Sequence, residues 1–343
     1  MAAPRILAFA DCGPRIGGGH VMRCLTLARA LAERGCAVAF AANPAAQGVL
    51  EAFGPRDVTV YPLSDDLAEA VPHAADWADA FKVDWVLLDH YRLSPAEEGE
   101  LKGARRLAVI DDLADRPRPA DLVINPGYGR LPGNYAGLLP ESARVLAGPQ
   151  FALVRPEFAA HRDQALARRR EGGHLKHLLV SLGLTDVEGI TGRVVRALRP
   201  HLDGLILDVV LGDQAPSLPA LREAAKTDCS LRLHVDSHAM AELMSQADLA
   251  VGAGGSSVWE RATLGLPAVT LILAENQRPM AEAMTQVGLT LAVDALAEDF
   301  EVRLVAAVRR LIDDAALRRW LFEAPCHACD GLGAGRVAEV MLG

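Results

Sequence analysis

Short apolar runs alternate along the chain with longer stretches in which apolar positions recur every three or four residues. The first run, Arg5 to Ala10, predicts a strand. His20 to Arg34 predicts a helix, because Val21, Cys24, Leu25, Ala28, Leu31 and Ala32 fall on one face. Ala37 to Ala41, Val58 to Tyr61, Trp85 to Asp89, Leu107 to Ile110 and Leu122 to Ile124 continue the strand series, with helical stretches between several of them. Pro149 to Pro156 ends this half. The polar, helix-prone Glu157 to Glu171 and the pair Gly172-Gly173 read as a connection. The rhythm then restarts. Strands are expected at His177–Leu182, Leu205–Leu211, Leu231–Val235, Ala247–Val251 and Ala268–Leu273. Helices are expected at Thr191–Leu198, Met240–Ser245, Ser257–Leu264, Asn276–Val287, Val302–Ile312 and Ala315–Phe322.

Continuous apolar strands separated by helices predict parallel sheets covered on both faces. The expected fold is α/β, with two doubly wound, Rossmann-like domains facing a cleft. An N-terminal domain is expected over residues 1–156, a connecting segment over 157–173 and a C-terminal domain over 174–343. A chain of 343 residues fits two such domains better than one core. In sheets of this kind, ligands bind at the carboxyl ends of the strands.

Composition narrows the partners. The formal net charge is −9, and the one basic block is Arg168-Arg169-Arg170. That balance argues against nucleic acid as a partner. It leaves nucleotides open, because backbone N–H groups and a helix end can hold a diphosphate without net positive charge. No run approaches the ~20 apolar residues needed to span a bilayer, and no signal-peptide pattern is present, so a cytoplasmic location away from membranes is expected. The six cysteines are then expected as thiols. Cys326-His327-Ala328-Cys329 has a C-x-x-C spacing but no second pair to complete a zinc site, so no metal and no cofactor is expected.

Several strand ends carry candidate chemistry. Asp11 to Cys24 includes Gly17-Gly18-Gly19-His20, running from the first strand into the first helix. Consecutive glycines allow close backbone approach, and the helix start adds N–H groups and partial positive charge. That field disfavours an imidazolium, so His20 is expected neutral and able to take a proton, with Asp11 orienting or balancing it. A tight turn with a histidine helix cap is the plainer alternative. Gly252-Ala-Gly254-Gly255-Ser256-Ser257 has the strand–loop–helix form of a phosphate cradle, and Glu260 one turn on could accept two ribose hydroxyls. A capped helix with Glu260 near its positive end fits that segment too. Glu275-Asn276-Gln277 could read hydroxyls or amides, or Asn276 could cap a helix. Asp89-His90-Tyr91 ends another strand, as does Ser181 to Asp186. Asp111-Asp112 is expected to cap rather than to hold a metal.

These segments, in this order, resemble the UDP-2,4-diacetamido-2,4,6-trideoxy-β-L-altropyranose hydrolases of pseudaminic acid biosynthesis and flagellin glycosylation. The resemblance is carried by Ile16 to Ala28, Trp85 to Tyr91, Ile110 to Asp112 with Asp121 to Asn125, and Gly148 to Phe158. It continues through Gly252 to Pro267, Ala274 to Gln277 and Asp330 to Arg336. It implies a GT-B-like fold and an inverting, metal-independent hydrolysis in which water attacks the anomeric carbon and UDP leaves. His20 matches the family's proposed catalytic histidine, with Asp11 and Tyr91 assisting. Gly17, Gly19, Arg23, Asp89, Gly254, Gly255, Ser256, Ser257, Glu260, Asn276 and Gln277 would bind the UDP-sugar. Two positions depart from the family pattern: Phe9 stands where an arginine is usual, and Leu184 where a glycine is. A GT-B-like glycosyltransferase and a non-catalytic nucleotide-sugar binder are the competing readings. The expected state is a monomer or weak homo-oligomer.

Overall fold

The computed structural model describes residues 3–13 and 16–343. Among these, the first sheet holds seven strands: β1 (Arg5–Ala10), β2 (Ala37–Ala42), β3 (Thr59–Pro62), β4 (Trp85–Asp89), β5 (Arg106–Ile110), β6 (Leu122–Asn125) and β7 (Arg144–Ala147). Their order is β3-β2-β1-β4-β5-β6-β7 and every neighbouring pair is parallel. The second sheet holds β8 (His177–Ser181), β9 (Ile206–Leu211), β10 (Leu231–Val235), β11 (Leu249–Ala253), β12 (Ala268–Ile272) and β13 (Leu291–Asp294). Their order is β10-β9-β8-β11-β12-β13, again parallel throughout.

The apolar runs form strands because both faces of each sheet are covered. Along β1, Ile6, Ala8 and Ala10 enter one core cluster, while Leu7 and Phe9 enter another on the opposite face. β4 and β5 divide in the same way, with Trp85, Leu87, Ala108 and Ile110 on one side and Val86, Leu88, Leu107 and Val109 on the other. This is the two-residue alternation of a pleated strand buried on both faces. Two short edge strands, β7 and β13, go beyond the sequence expectation. Each has four residues with only three consecutive apolar ones, and β13 buries only Val293, so the run in each is short.

The chain divides into two compact units, although not where the sequence suggests. Residues up to Val154 and Leu332–Gly343 form one unit, and Arg155–Gly331 the other. The expected connecting segment is a regular helix, Pro156–Glu171, whose Phe158, Ala165 and Leu166 are buried within the second unit. The last helix, Gly333–Leu342, belongs to the first unit. Its Ala334, Val337, Ala338 and Met341 complete the core that contains Leu27 and Leu31. Gly333 fits there because a Cβ would lie 2.3 Å from the Ala152 carbonyl oxygen.

Each sheet has a topological switch point. In the first, the chain leaves β1 towards β2 and β3 and later returns to the other side of β1 as β4. In the second, β8 and β11 stand in the same relation. Loops leaving two such strands diverge, which opens a crevice at their carboxyl ends. Register makes these ends level: Ala10 pairs with Asp89, and Ser181 with Gly252.

Met341 is fully buried. Met341→Ala should therefore destabilise the first unit by about 2–5 kcal/mol, read as a lower urea midpoint, and should leave the second unit's transition in place.

Candidate active site

The first crevice is built from the loop after β1 and the end of β4. Gly13 and Gly17 pair across a tight turn, with Gly17 N–H donating to the Gly13 carbonyl at 2.8 Å. Gly17 has φ +75°, a conformation glycine adopts without strain. Pro14 and Arg15 lie outside the described residues. The helix Gly19–Ala32 starts at the Gly18 cap with no side chain capping it. Among the described residues no side chain caps its first-turn N–H groups, which is the form of an anion site. His20 is the second residue of this helix and is 7% exposed.

His20 Nδ1 lies 2.6 Å from Asp89 Oδ1 and 3.2 Å from the Asp89 carbonyl oxygen. Nδ1–H donating to the carboxylate leaves the Nε2 lone pair to take a proton. Asp89 is fully buried, and Arg23 holds it in a two-pronged bond, Nε to Oδ2 and Nη2 to Oδ1, both 2.8 Å. The Nη1 atom of Arg23 reaches on to both oxygens of Asp112 at 2.8 Å. Tyr91 completes the ring of contacts. Its hydroxyl donates to Asp112 Oδ2 at 2.6 Å, and its ring meets the His20 ring edge to face, centroids 4.6 Å apart.

The electrostatics differ from the sequence expectation. Burial works against a charged His20, but the charge of Asp89 and its hydrogen bond outweigh burial, and the imidazole pKa is raised above 6.5. A helix end carries about half a unit charge, whereas Asp89 is a full charge in contact, so the carboxylate prevails. Asp89 itself is held below the usual carboxylate range; burial opposes its charge, and Arg23 and His20 overcome this. Burial first and Asp112 second raise the Tyr91 pKa, so its proton stays on the phenol.

The role expected for Asp11 also changes. Asp11 does not meet His20. Its carboxylate accepts from Arg92, Nη2 at 2.8 Å and Nε at 3.2 Å, with His90 Nε2 at 3.5 Å. The reason is register: β1 and β4 run level, so Asp89 occupies the position beneath His20, and Asp11 begins the next step outward. Burial pushes His90 down to about 4. Phe9 packs 5.4 Å from the His90 ring in the opposite core. Asp111 accepts from Leu113 and Ala114 N–H, as a turn cap should, and also takes Arg118 and the Tyr135 hydroxyl.

The second crevice lies at β8 and β11. After β8, Asp186 is fully buried in a left-handed conformation at φ +45° and accepts from Thr191 N–H and Ser217 N–H, each at 2.8 Å. It is an internal tie, not an exposed ligand. After β11, Gly252 to Gly255 lies over the side chain of Arg261. A Cβ on Gly252 would fall 2.1 Å from Arg261 Nη1. Arg261 is 3% exposed and donates to the Ala253 carbonyl at 2.9 Å, Ser257 Oγ at 3.1 Å and Thr270 Oγ1 at 3.3 Å. None of these is a carboxylate, and burial brings its pKa down to about 10. A buried cation under a glycine loop gives that loop a positive floor.

The remaining residues of this crevice fall into two groups. Ser257 is engaged by Arg261, whereas Ser256 caps nothing. Gln277 Oε1 accepts from Leu273 N–H at 3.0 Å and lies 3.2 Å from where a Gly254 Cβ would be, which braces the loop. Gly255 has open space around it. Asn276 is exposed and caps no helix. Glu260 accepts from Arg155 Nε at 3.0 Å. Sequence reasoning does not single out Arg261, Arg155 or Arg92. Arg261 leaves one signal: it is a charged residue on the helix face that also carries Val258, Trp259 and Ala262, all buried. Among the described residues, no group of three metal-ligating side chains could hold an ion, and no helix is long and apolar enough to cross a membrane.

No family model matches the chain. It is 23% identical to the UDP-2,4-diacetamido-2,4,6-trideoxy-β-L-altropyranose hydrolase of Campylobacter jejuni over 287 residues, covering 83% of this chain and 97% of that one. It is 26% identical to the spore coat polysaccharide biosynthesis protein SpsG of Bacillus subtilis, covering 97% of this chain and 96% of that one. Among solved structures, Acinetobacter baumannii MurG matches with a TM-score of 0.64 at 19% identity, covering 98% and 99% of the two chains. The spinosyn rhamnosyltransferase SpnG complexed with thymidine diphosphate matches with a TM-score of 0.65 at 18% identity, covering 98% and 100%. The fold is that of the GT-B glycosyltransferases.

The His20 titration gives a direct test of the site. NMR should place the His20 pKa above 6.5, and Asp89→Asn should lower it. The sign for stability follows from linkage. A raised folded-state pKa adds stability that is complete below the unfolded value near 6.5 and is lost as pH rises through the folded value. The His20 contribution, measured as the difference between wild type and His20→Gln, should therefore shrink as pH rises above 6.5.

Proposed function

We propose that this chain, a relative of the UDP-2,4-diacetamido-2,4,6-trideoxy-β-L-altropyranose hydrolases, cleaves a UDP-linked 2,4-diacetamido-2,4,6-trideoxy sugar into UDP and the free sugar. The observation that carries the reading is the His20–Asp89 pair at the switch point of the first sheet. A histidine with Nδ1 fixed by a buried carboxylate is oriented and made more basic at Nε2, which suits a general base for water. In this reading, water gives a proton to His20 Nε2 as its oxygen attacks the anomeric carbon. The bond from that carbon to the phosphate oxygen breaks on the opposite face, so configuration inverts. The electron pair leaves with UDP.

The glycine loop Gly252 to Gly255 is assigned the diphosphate, its N–H groups and the buried Arg261 offsetting the leaving charge. Glu260 is assigned the ribose, with Arg155 fixing one of its oxygens. Asn276, exposed and uncommitted to a cap, is assigned a substrate contact, while Gln277 braces the loop. Tyr91 and Arg23 hold the His20 pocket in shape. The step as written uses no metal or cofactor. We place it in the cytoplasm, in pseudaminic acid biosynthesis for flagellin glycosylation.

The test is incubation with the UDP-sugar and no acceptor. UDP and the inverted free sugar should appear together, at a rate unchanged by a chelator. Release that requires an added acceptor would replace this reading with a glycosyltransferase. His20→Ala should lower kcat about 10²-fold or more with KM little changed. An unchanged rate would point to a binding protein instead. A base must be unprotonated to act, so kcat/KM should fall as pH drops through the His20 pKa, above 6.5. In Asp89→Asn that limb should move to lower pH.

A further inference from the structure

The second unit carries a cavity that the proposed reaction does not use. It has a volume of about 670 Å³ and is lined by six cations: Arg168, Arg169, Arg170, Lys176, Arg318 and Arg319. Two carboxylates, Asp248 and Glu323, share its wall. Its position is set by the sheet. Lys176 immediately precedes β8, Asp248 precedes β11 and Pro267 precedes β12. The cavity therefore opens at the amino ends of these strands, while the glycine loop after β11 lies at the carboxyl ends. The two sites are at opposite edges of one sheet.

The carboxylates do not neutralise the cations. Asp248 pairs with Arg168 and also accepts the N–H groups of Lys176 and His177, at 2.7 and 2.9 Å. Glu323 pairs with Arg319 at 3.1 Å, one helical turn away. Arg170, Lys176 and Arg318 form no ion pair with either carboxylate, and Arg169 meets Asp248 only as a through-space charge that does not offset its burial. Arg169 donates to the carbonyls of Ala165, Met244 and Ala247, and Arg318 to those of Leu311 and Ile312. Helix-end carbonyls explain why these two side chains are ordered. They do not explain why Arg170 and Lys176 are brought beside them.

Like charges gathered around one concave wall repel one another, and an anion relieves this. Arg169 shows the strain of the arrangement. Its Nε is buried with no partner, and burial together with the neighbouring Arg168 brings its pKa down to about 9. In a chain of net charge −9, a cavity with a local excess of four positive charges, six cations against two carboxylates, is not the average surface. Its volume lies in the range of small-molecule sites, roughly 300–1,000 Å³. Guanidinium forks favour phosphate oxygens.

We propose that this cavity is a second anion site, taking a phosphorylated small molecule of about nucleotide size, separate from the glycine-loop crevice. The inference does not depend on the hydrolase reading. It is tested by calorimetric titration of the full chain with pyrophosphate in the presence of saturating UDP, which occupies the loop if that loop binds a nucleotide. One pyrophosphate should bind per chain. The double variant Arg170→Glu, Lys176→Glu should weaken it by roughly tenfold or more, and the affinity for UDP should change less than about twofold. Arg170→Gln, Lys176→Gln, a milder change at two exposed positions, keeps the test valid should the reversal variant unfold. Absence of saturable binding, or equal binding by wild type and variant, would overturn the proposal. So would cosedimentation with phosphatidylglycerol vesicles without pyrophosphate binding, which would assign the basic wall to a lipid surface.

Discussion

Keeping Asp89 ionised while fully buried is the constraint on which the first crevice turns. A carboxylate removed from water is costly unless cations and hydrogen bonds surround it. Here His20 and Arg23 supply them, and the consequences spread outward. Arg23 must lie flat against Asp89, so its remaining nitrogen reaches Asp112. Asp112 in turn fixes the Tyr91 hydroxyl, and the Tyr91 ring supports the face of His20. The loop closes on itself: histidine, carboxylate, guanidinium, carboxylate, phenol, and back to histidine. Removing His20 or Arg23 leaves the fully buried charge of Asp89 short of a partner. Histidine geometry is therefore determined by several groups at once, as the base role proposed above requires.

The second unit meets a related demand by different means. Arg261 is a buried cation hydrogen-bonded to a carbonyl and two hydroxyls rather than to a carboxylate, with only the through-space charge of Glu260 opposing its burial. It is possible only because Gly252 has no side chain; any Cβ there would collide with the guanidinium. The glycine is thus explained by the arginine beneath it as much as by any ligand above. Gly254 has a looser relation to Gln277, where a Cβ would be tight at 3.2 Å from Oε1 but would not collide. The sequence shows a glycine-rich loop, but the structure gives its glycines different roles. Gly252 accommodates the cation, Gly254 accommodates the bracing amide, and Gly255 alone faces open space.

Interior strands are legible because burial on both faces demands unbroken apolar runs, as in Trp-Val-Leu-Leu over residues 85–88. Edge strands make less demand: Thr59–Pro62 and Leu231–Val235 are still read, but Arg144–Ala147 and Leu291–Asp294, with three apolar residues each, do not stand out. His20, Asp89 and Tyr91 stand out by their positions near strand ends and Arg23 only by the family resemblance, and the structure does bring these four together. The division of labour between Asp11 and Asp89 is not legible. Both end neighbouring strands, and only the pairing register shows which one turns to the histidine. The charge state of His20 is hidden for the same reason, since a helix-end field can be read from sequence but a contact at 2.6 Å cannot. Arg261 is concealed because a single arginine in a short helix looks like solvent-facing charge until the fold covers it.

The return of the last helix to the first unit bears on the order of assembly. Residues 155–331 are contiguous and contain every element of the second sheet. The first unit is interrupted: Val337, Ala338 and Met341, which fill the face beside Leu27 and Leu31, are translated after the whole of the second unit. During synthesis the N-terminal sheet is thus exposed first yet finished last. Its helix Gly19–Ala32, the one that bears His20, waits with an uncovered apolar flank until the ribosome has delivered the closing helix.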